Sequence, residues 1–378
     1  MFKLAIRSTR LAPRSTYIFR SLATASSTSP NIPATQKAIV FDQHGGPLQY
    51  KDIQVPKPGP NDILVNIKYT GVCNSDYHIW KGDWAIKPQL PLILGHEGAG
   101  VVVAKGENVS NFQIGDHAGI KWVNSTCQSC EFCQESHESS CPSQTNSGFS
   151  VQGTYQQYCL ANADQAAHIP KDVDLAKAAP LLCAGLTVYK ALRNANIRAG
   201  QTVAIIGAGG GLGSLAVQYG VAMGYRVIGI DASNKKEHVL SKGADAFVDF
   251  SSKVGVPEQV LELTEGKGPH AVINVSNSVQ AYNEAITYVR PTGTVILVGL
   301  PQGGAKLESD IVMQTLRAVN IKGSVVGNRA DTREALEFFR RGKVDSPVKI
   351  VGLSEAPDVF KLMEDRKIMG RYVLDTSK

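Results

Sequence analysis

The sequence predicts an α/β protein in two parts: a β-rich N-terminal domain, then a doubly wound parallel sheet. Two observations carry this. Residues 37–185 break into short alternating runs such as "ILVNIKY" and "GAGVVVAKG", separated by Pro, Gly, Asn and Asp clusters. From 186 to 325, apolar strands alternate with helical stretches, the rhythm of repeated βαβ units. The length of 378 residues holds two domains, and a 43% hydrophobic chain with 36 glycines suits a well-cored fold.

The leader comes first. Residues 1–36 carry Lys3, Arg7, Arg10, Arg14 and Arg20 and no acid, with apolar residues scattered among the arginines. That is the character of a mitochondrial transit peptide over residues 1–26, not of a secretory signal with one unbroken apolar core. A disordered basic tail is the alternative. The remaining chain is nearly neutral, so electrostatics give no case for a nucleic-acid partner.

The β-rich domain holds the cysteines. Cys127, Cys130, Cys133 and Cys141 form "CQSCEFCQESHESSC", a spacing that wraps one tetrahedral structural zinc. A disulfide pair or an iron–sulfur cluster is the alternative reading of the same spacing. The loop acids Glu131, Glu135 and Glu138 argue against a nucleic-acid-binding ribbon. Of the other three thiols, Cys159 reads as a buried small hydrophobe. Cys73 lies in "GVCNSDYHIW", His96 and Glu97 in "GHEGAG", and Cys183 in "LLCAGLTVY". Two cysteines and a histidine with an open fourth position suit a catalytic zinc, but spacing alone cannot join residues so far apart.

The nucleotide-binding part begins with "VAIIGAGGGLGSLAVQ". A strand, a turn bearing Gly207, Gly209, Gly210, Gly211 and Gly213, and a helix follow in order. Such a turn and the helix amides behind it accept a pyrophosphate. The second strand, "RVIGID", ends in Asp231, an acid placed to accept from a ribose hydroxyl and repel a 2′-phosphate, which favours NAD over NADP. Further strands are expected at "AFVDF", "HAVINVS" and "TVILVGL". Further helices are expected at "KKEHVLSKG", "VPEQVLELTEG" and "VQAYNEAITYV". The long uncharged run at 201–225 is read as strand, turn and helix because seven glycines interrupt it, so no transmembrane segment is expected. Residues 326–378 are expected to begin with a helix, continue as short strands and return to the first domain.

Taken in this order, the zinc loop, "GHEGAG" and the glycine loop make the chain resemble the zinc-containing medium-chain alcohol dehydrogenases of the fungal tetrameric type. The likeness runs from "ATQKAIVF" to "GRYVLDTSK" and includes "IGDHAGIKW", "APLLCAGLTVYKAL" and "GNRADTREAL". It implies a GroES-like catalytic domain over 37–185, a Rossmann coenzyme domain over 186–325, two Zn2+ per subunit, NAD and a homotetramer. With the leader, it implies a mitochondrial isozyme of the matrix.

Carried onto this sequence, the resemblance makes Cys73, His96 and Cys183 ligands of a catalytic zinc, with Glu97 behind the metal and Asp76 orienting His96. Ser75 would hydrogen-bond the substrate oxygen, and His78 would end a proton relay to solvent. Trp84 and Trp122 would narrow the pocket, with Leu300 and Thr187 beside the nicotinamide. Gly207, Gly210, Gly211, Leu212 and Gly213 would cradle the coenzyme. Lys236 would join Asp231 at the adenosine ribose, and Arg371 would reach the pyrophosphate. The implied reaction interconverts small primary alcohols and aldehydes, ethanol and acetaldehyde among them. Asn74 departs from the pattern. It stands where the family usually sets a cationic or ionisable residue against the pyrophosphate, so weaker NAD binding and faster NADH release are expected. The competing readings are another zinc-dependent medium-chain dehydrogenase and a non-catalytic zinc-binding protein of the same fold.

Overall fold

Two sheets organise the chain, and the C-terminus stitches them together. The computed structural model describes residues 31–378 except Gln302, Arg366 and Met369, and Ile32–Lys378 form one unit. The expected transit peptide lies outside the described residues.

In the N-terminal domain the long strand Asp62–Gly71 is central. It pairs antiparallel with Gly98–Lys105, with Tyr158–Asn162 and with the last strand, Arg371–Asp375. His117–Ile120, Ala167–His168 and Val348–Gly352 complete this sheet of seven strands. The C-terminal tail therefore supplies two strands to the first domain. A smaller sheet orders Gln49–Gln54, Thr35–Phe41 and Leu92–Ile93. Gln49–Gln54 alternates half-buried and exposed residues, as a period-two strand with one wet face does.

The second sheet is wholly parallel. Its spatial order is Ala246–Asp249, Arg226–Asp231, Thr202–Ile206, Ala271–Asn274, Thr294–Leu297 and Asn320–Gly323. Numbered along the chain this is 3-2-1-4-5-6, the doubly wound dinucleotide-binding order, with its reversal beside Thr202–Ile206. Both faces are covered. Val203 and Ile205 join one apolar cluster with Leu215 and Tyr219, while Ala204 and Ile206 join another with Ile228, Val272 and Val295. A strand buried on both faces reads as an unbroken apolar run, which is why these strands were visible in the sequence.

The 201–225 run divides into the strand Thr202–Ile206 and the helix Gly211–Ala222. Among the described residues no single helix is long and apolar enough to cross a membrane. Several elements were not anticipated, the helices Asn74–Lys81 and Ala184–Asn194 among them. Asn320–Gly323, "NIKG", is a short polar edge strand with no apolar run to announce it. Ile311–Arg317 is a helix capped by Asp310, whose carboxylate accepts from the Val312 and Met313 amides. Ala356–Glu364 is a helix between the two tail strands, with Pro357 in its first turn and Val359 and Phe360 buried.

Candidate active site and metal centres

Cys73, His96 and Cys183 come from three different elements. Cys73 ends the turn after Asp62–Gly71 and precedes the helix Asn74–Lys81. His96 lies in the turn between Leu92–Ile93 and Gly98–Lys105. Cys183 precedes the helix Ala184–Asn194. Their ligand atoms, with a carboxylate oxygen of Glu97, all lie within 4.8 Å of one another. His96 is 1% exposed, and Glu97 and Asp76 are fully buried.

Asp76 braces this cluster. Its Oδ2 accepts from the Cys73 amide at 3.0 Å and from the Tyr155 hydroxyl at 3.0 Å. Its Oδ1 stands 3.0 Å from His96 Nδ1, close enough for an ionic contact but out of line for a hydrogen bond. That orientation leaves His96 Nε2 for the two thiols. A hydrogen bond from the Cys183 thiol, and secondarily the His96 ring, hold Cys73 well below the usual thiol range. Burial pushes the Glu97 carboxyl up to about 7, against the pull of Arg371. Two thiols, an imidazole and a carboxylate in one dry pocket are a set that a dication would satisfy, and the donor chemistry fits zinc.

The second cluster is the 127–141 loop. Cys130 and Cys133 sulfurs lie 3.6 Å apart, Cys127 and Cys141 3.6 Å, and Cys127 and Cys133 4.0 Å. A tetrahedron of sulfurs around one zinc has edges of about 3.8 Å at the usual Zn–S length. All seven cysteines are free thiols, so no disulfide closes the loop. Gln128 and Ser136 take left-handed backbone, at φ 57° and 64°, to turn the chain around the sulfurs. Backbone donors from Ser129 and Cys130 hold the Cys127 thiol down at about 6, whereas burial pushes the Cys133 thiol up to about 12.

The catalytic cluster forms the floor of a cleft of about 990 Å³ between the two sheets. One wall carries Ser75, His78, Trp84 and Trp122; the other carries Gly207, Gly210, Leu212 and Asp231. Trp84 and Trp122 meet edge to face at 6.0 Å, and Trp122 stands 5.2 Å from the His96 ring. Phe149 packs against both tryptophans, 5.8 Å from each. Thr187 and Leu300 also line the cleft, but Leu300 is 63% exposed and does not narrow it. Gly213 is required by packing: a Cβ there would stand 1.9 Å from the Gly207 carbonyl. Gly211 lies against the Arg371 side chain, which a Cβ would meet at 2.9 Å. Asp231 sits where the second strand ends, accepting from the Gly209 amide at 2.7 Å and the Ala232 amide at 2.8 Å.

Three residues expected near the coenzyme are described by their contacts within the protein. Lys236 is exposed at the start of the helix Lys236–Ser241, and the lysine packed over Gly209 beside Asp231 is Lys235. The Arg371 guanidinium is turned onto the Glu97 carboxylate through Nη2, because that buried acid is the nearest negative charge. Among the described residues its Nε, a buried donor, has no hydrogen-bond partner. Asn74 directs its amide at His78 Nε2, 2.8 Å away, so it is engaged within its own helix. Sequence reasoning missed Tyr155, Phe149 and Asp83, whose carboxylate lies 2.8 Å from His78 Nδ1. Only the local spacing of His78 and Asp83 offered a signal.

Known proteins share this arrangement. Residues 59–171 match the family described as alcohol dehydrogenase GroES-like domain, and residues 211–341 match the zinc-binding dehydrogenase family. The alcohol dehydrogenase of the hyperthermophilic archaeon Aeropyrum pernix is 30% identical over 90% of this chain and 99% of its own, with a TM-score of 0.81. The acetophenone reductase of Geotrichum candidum, solved in complex with NAD, is 30% identical over 91% of this chain and 98% of its own, with a TM-score of 0.80. A CAD of Helicobacter pylori complexed with NADP(H) is 26% identical over 91% of this chain and 99% of its own, with a TM-score of 0.80. With a GroES-like domain, a Rossmann-like domain and a metal-ligand cluster between them, the chain belongs to the zinc-binding medium-chain alcohol dehydrogenase family.

Proposed function

We propose that this protein is an NAD-dependent dehydrogenase of small primary alcohols, ethanol among them, working reversibly with the aldehyde. The observation that carries the reading is the cleft itself, with Cys73, His96 and Cys183 at its floor, Asp231 on one wall and two tryptophans on the other. Zinc on those three ligands supplies Lewis-acid polarisation of the alcohol oxygen, and NAD supplies the hydride acceptor.

The chain's own residues do the rest. Ser75 and His78 are three apart on the helix Asn74–Lys81, so both present to the cleft from one helix face. Ser75 accepts the substrate hydroxyl proton as its own proton leaves, and His78 takes up the released proton and passes it toward solvent. Trp84 and Trp122 exclude water and leave room for a short alkyl chain. Asp231 favours an unphosphorylated ribose, hence NAD. Arg371 has an unpaired Nε beside Gly211, where a pyrophosphate on the glycine loop would accept from it.

A homotetramer in the mitochondrial matrix belongs to the same proposal. Ile311, at 79% exposed, and Leu316, at 76%, stand next to the edge strand Asn320–Gly323, a surface suited to a second copy. The test is elemental analysis of zinc per chain together with ethanol-dependent NADH formation, with and without a chelator. Two zincs, with activity lost alongside the more labile one, are expected. One zinc and no activity would give precedence to a non-catalytic zinc protein.

A further inference from the structure

The helix Asn74–Lys81 ends at Gly82, whose left-handed backbone, φ 73°, turns the chain sharply. The Gly82 and Asp83 amides both donate to the His78 carbonyl, at 3.0 and 3.1 Å. This turn folds Asp83 back onto the ring of His78, and its Oδ2 comes within 2.8 Å of Nδ1. At the other edge of the ring, the Asn74 amide nitrogen lies 2.8 Å from Nε2. Asn74 and His78 are four apart, on one face of the helix.

The chemistry of these contacts fixes the proton. An amide nitrogen donates and does not accept, so Nε2 is the acceptor. The ring proton is therefore on Nδ1 and is donated to the Asp83 carboxylate. An imidazole nitrogen has one lone pair in the ring plane. While Asn74 holds it, no hydroxyl can donate to Nε2. The histidine side chain is 13% exposed and the Asp83 side chain 27%, whereas Asn74 is exposed.

We propose that Asp83 and Asn74 are positioning residues for His78: Asp83 fixes the ring as the Nδ1–H tautomer, and the Asn74 amide occupies Nε2 until bound coenzyme displaces it. The inference rests on the dehydrogenase reading, in which His78 carries the proton outward. It changes the meaning of Asn74. The residue lowers coenzyme affinity through a bond that must break on binding, in addition to any charge it lacks.

The experiment uses the full zinc-loaded protein. NADH affinity is measured by fluorescence titration, and zinc content, thermal midpoint, kcat and the solvent deuterium effect on alcohol oxidation are measured beside it. Removing a neutral hydrogen bond that opposes binding is worth about fivefold, so Asn74→Ala should tighten NADH by about that factor. Weaker or unchanged binding would overturn the role given to Asn74. Asp83→Asn lets an amide donate to Nδ1 and so favours the wrong tautomer. It should lower kcat by about 10- to 100-fold and enlarge the solvent deuterium effect, with zinc content and thermal midpoint unchanged. Asp83→Glu should recover most of the loss. Unchanged kcat in Asp83→Asn, or loss of zinc and stability in step with it, would overturn the role of Asp83. Failure of the unsubstituted protein to bind NADH would instead overturn the dehydrogenase reading itself.

Discussion

Replacing Tyr155 by Phe tests the bracing of the catalytic cluster most directly. The Tyr155 hydroxyl donates to Asp76 Oδ2 at 3.0 Å, and both residues are fully buried. Phenylalanine keeps the ring and its edge contact with Phe360, at 6.4 Å, so the change removes one donor and little packing. A hydrogen bond to a buried charged group contributes about 1.5–3 kcal/mol. The fold should lose about 2 kcal/mol. Asp76 faces His96 Nδ1 through its other oxygen, so part of that loss passes to the histidine. At 1.4 kcal/mol per tenfold, the catalytic zinc should weaken by at most about 30-fold. A chromophoric chelator in competition measures this, with the four-thiol zinc as internal control. The same substitution in an Asp76→Asn background should cost much less, because the charge it serves has gone. Equal cost in both backgrounds, or no change in either, would refute the reasoning.

Other consequences follow from burial and packing. Burial holds the Lys121 ammonium down at about 8 from the usual 10.5, with Gln165 Oε1 as its partner at 2.9 Å. The cost of that charge is full below pH 8 and relieved between 8 and 10.5, so this group makes stability rise with pH across that window. Lys121→Met should stabilise the protein by about 1–2 kcal/mol at pH 7 and flatten the alkaline rise; an unchanged slope in pH-dependent denaturation would refute it. Gly213→Ala places a Cβ 1.9 Å from the Gly207 carbonyl and should weaken NADH by more than about tenfold in a binding titration. Ile311→Glu with Leu316→Glu should shift the sedimentation profile to smaller species, and an unchanged profile would rule that surface out as an interface. Arg329→Gln removes the 2.7 Å partner of the buried Glu138 in the four-thiol loop and should speed release of that zinc to a chelator.

Much of this was written locally in the chain. The four-thiol loop and the glycine loop are each one continuous segment, so spacing alone revealed them. The parallel strands were legible because both faces of Thr202–Ile206 and its neighbours are buried, which leaves an unbroken apolar run. Asn320–Gly323 was not legible because an edge strand needs no such run. The catalytic cluster could be joined only by resemblance. Tyr155 meets Asp76 across 79 positions, and nothing near either residue signals the other. Lys235 and Lys236 differ only in helical phase, which a turn entering a helix does not declare. Arg371 meets the Glu97 carboxylate across 274 positions, and nothing near either residue signals the contact.

A chain of buried contacts connects the four-thiol loop to the helix that follows Cys183. Glu138 and Ser136 of the four-thiol loop bind Arg329 and Asn328, at 2.7 and 2.9 Å. Asn328 caps the helix Arg329–Arg340, its side chain accepting from the Asp331 amide while the Asp331 carboxylate accepts from the Asn328 amide. Asp331 is 1% exposed and also holds Lys190 at 3.0 Å and Arg193 at 3.3 Å, both on the helix Ala184–Asn194. That helix begins directly after Cys183 and carries Thr187 into the cleft. A buried carboxylate with two cations and a cap tolerates little displacement, since any shift leaves a charge or an amide unpaired. The loop thus sets the position of Asn328, Asp331 sets the ligand helix, and the ligand helix sets one corner of the catalytic cluster. A metal held by the four thiols would fix the loop end of this chain of contacts.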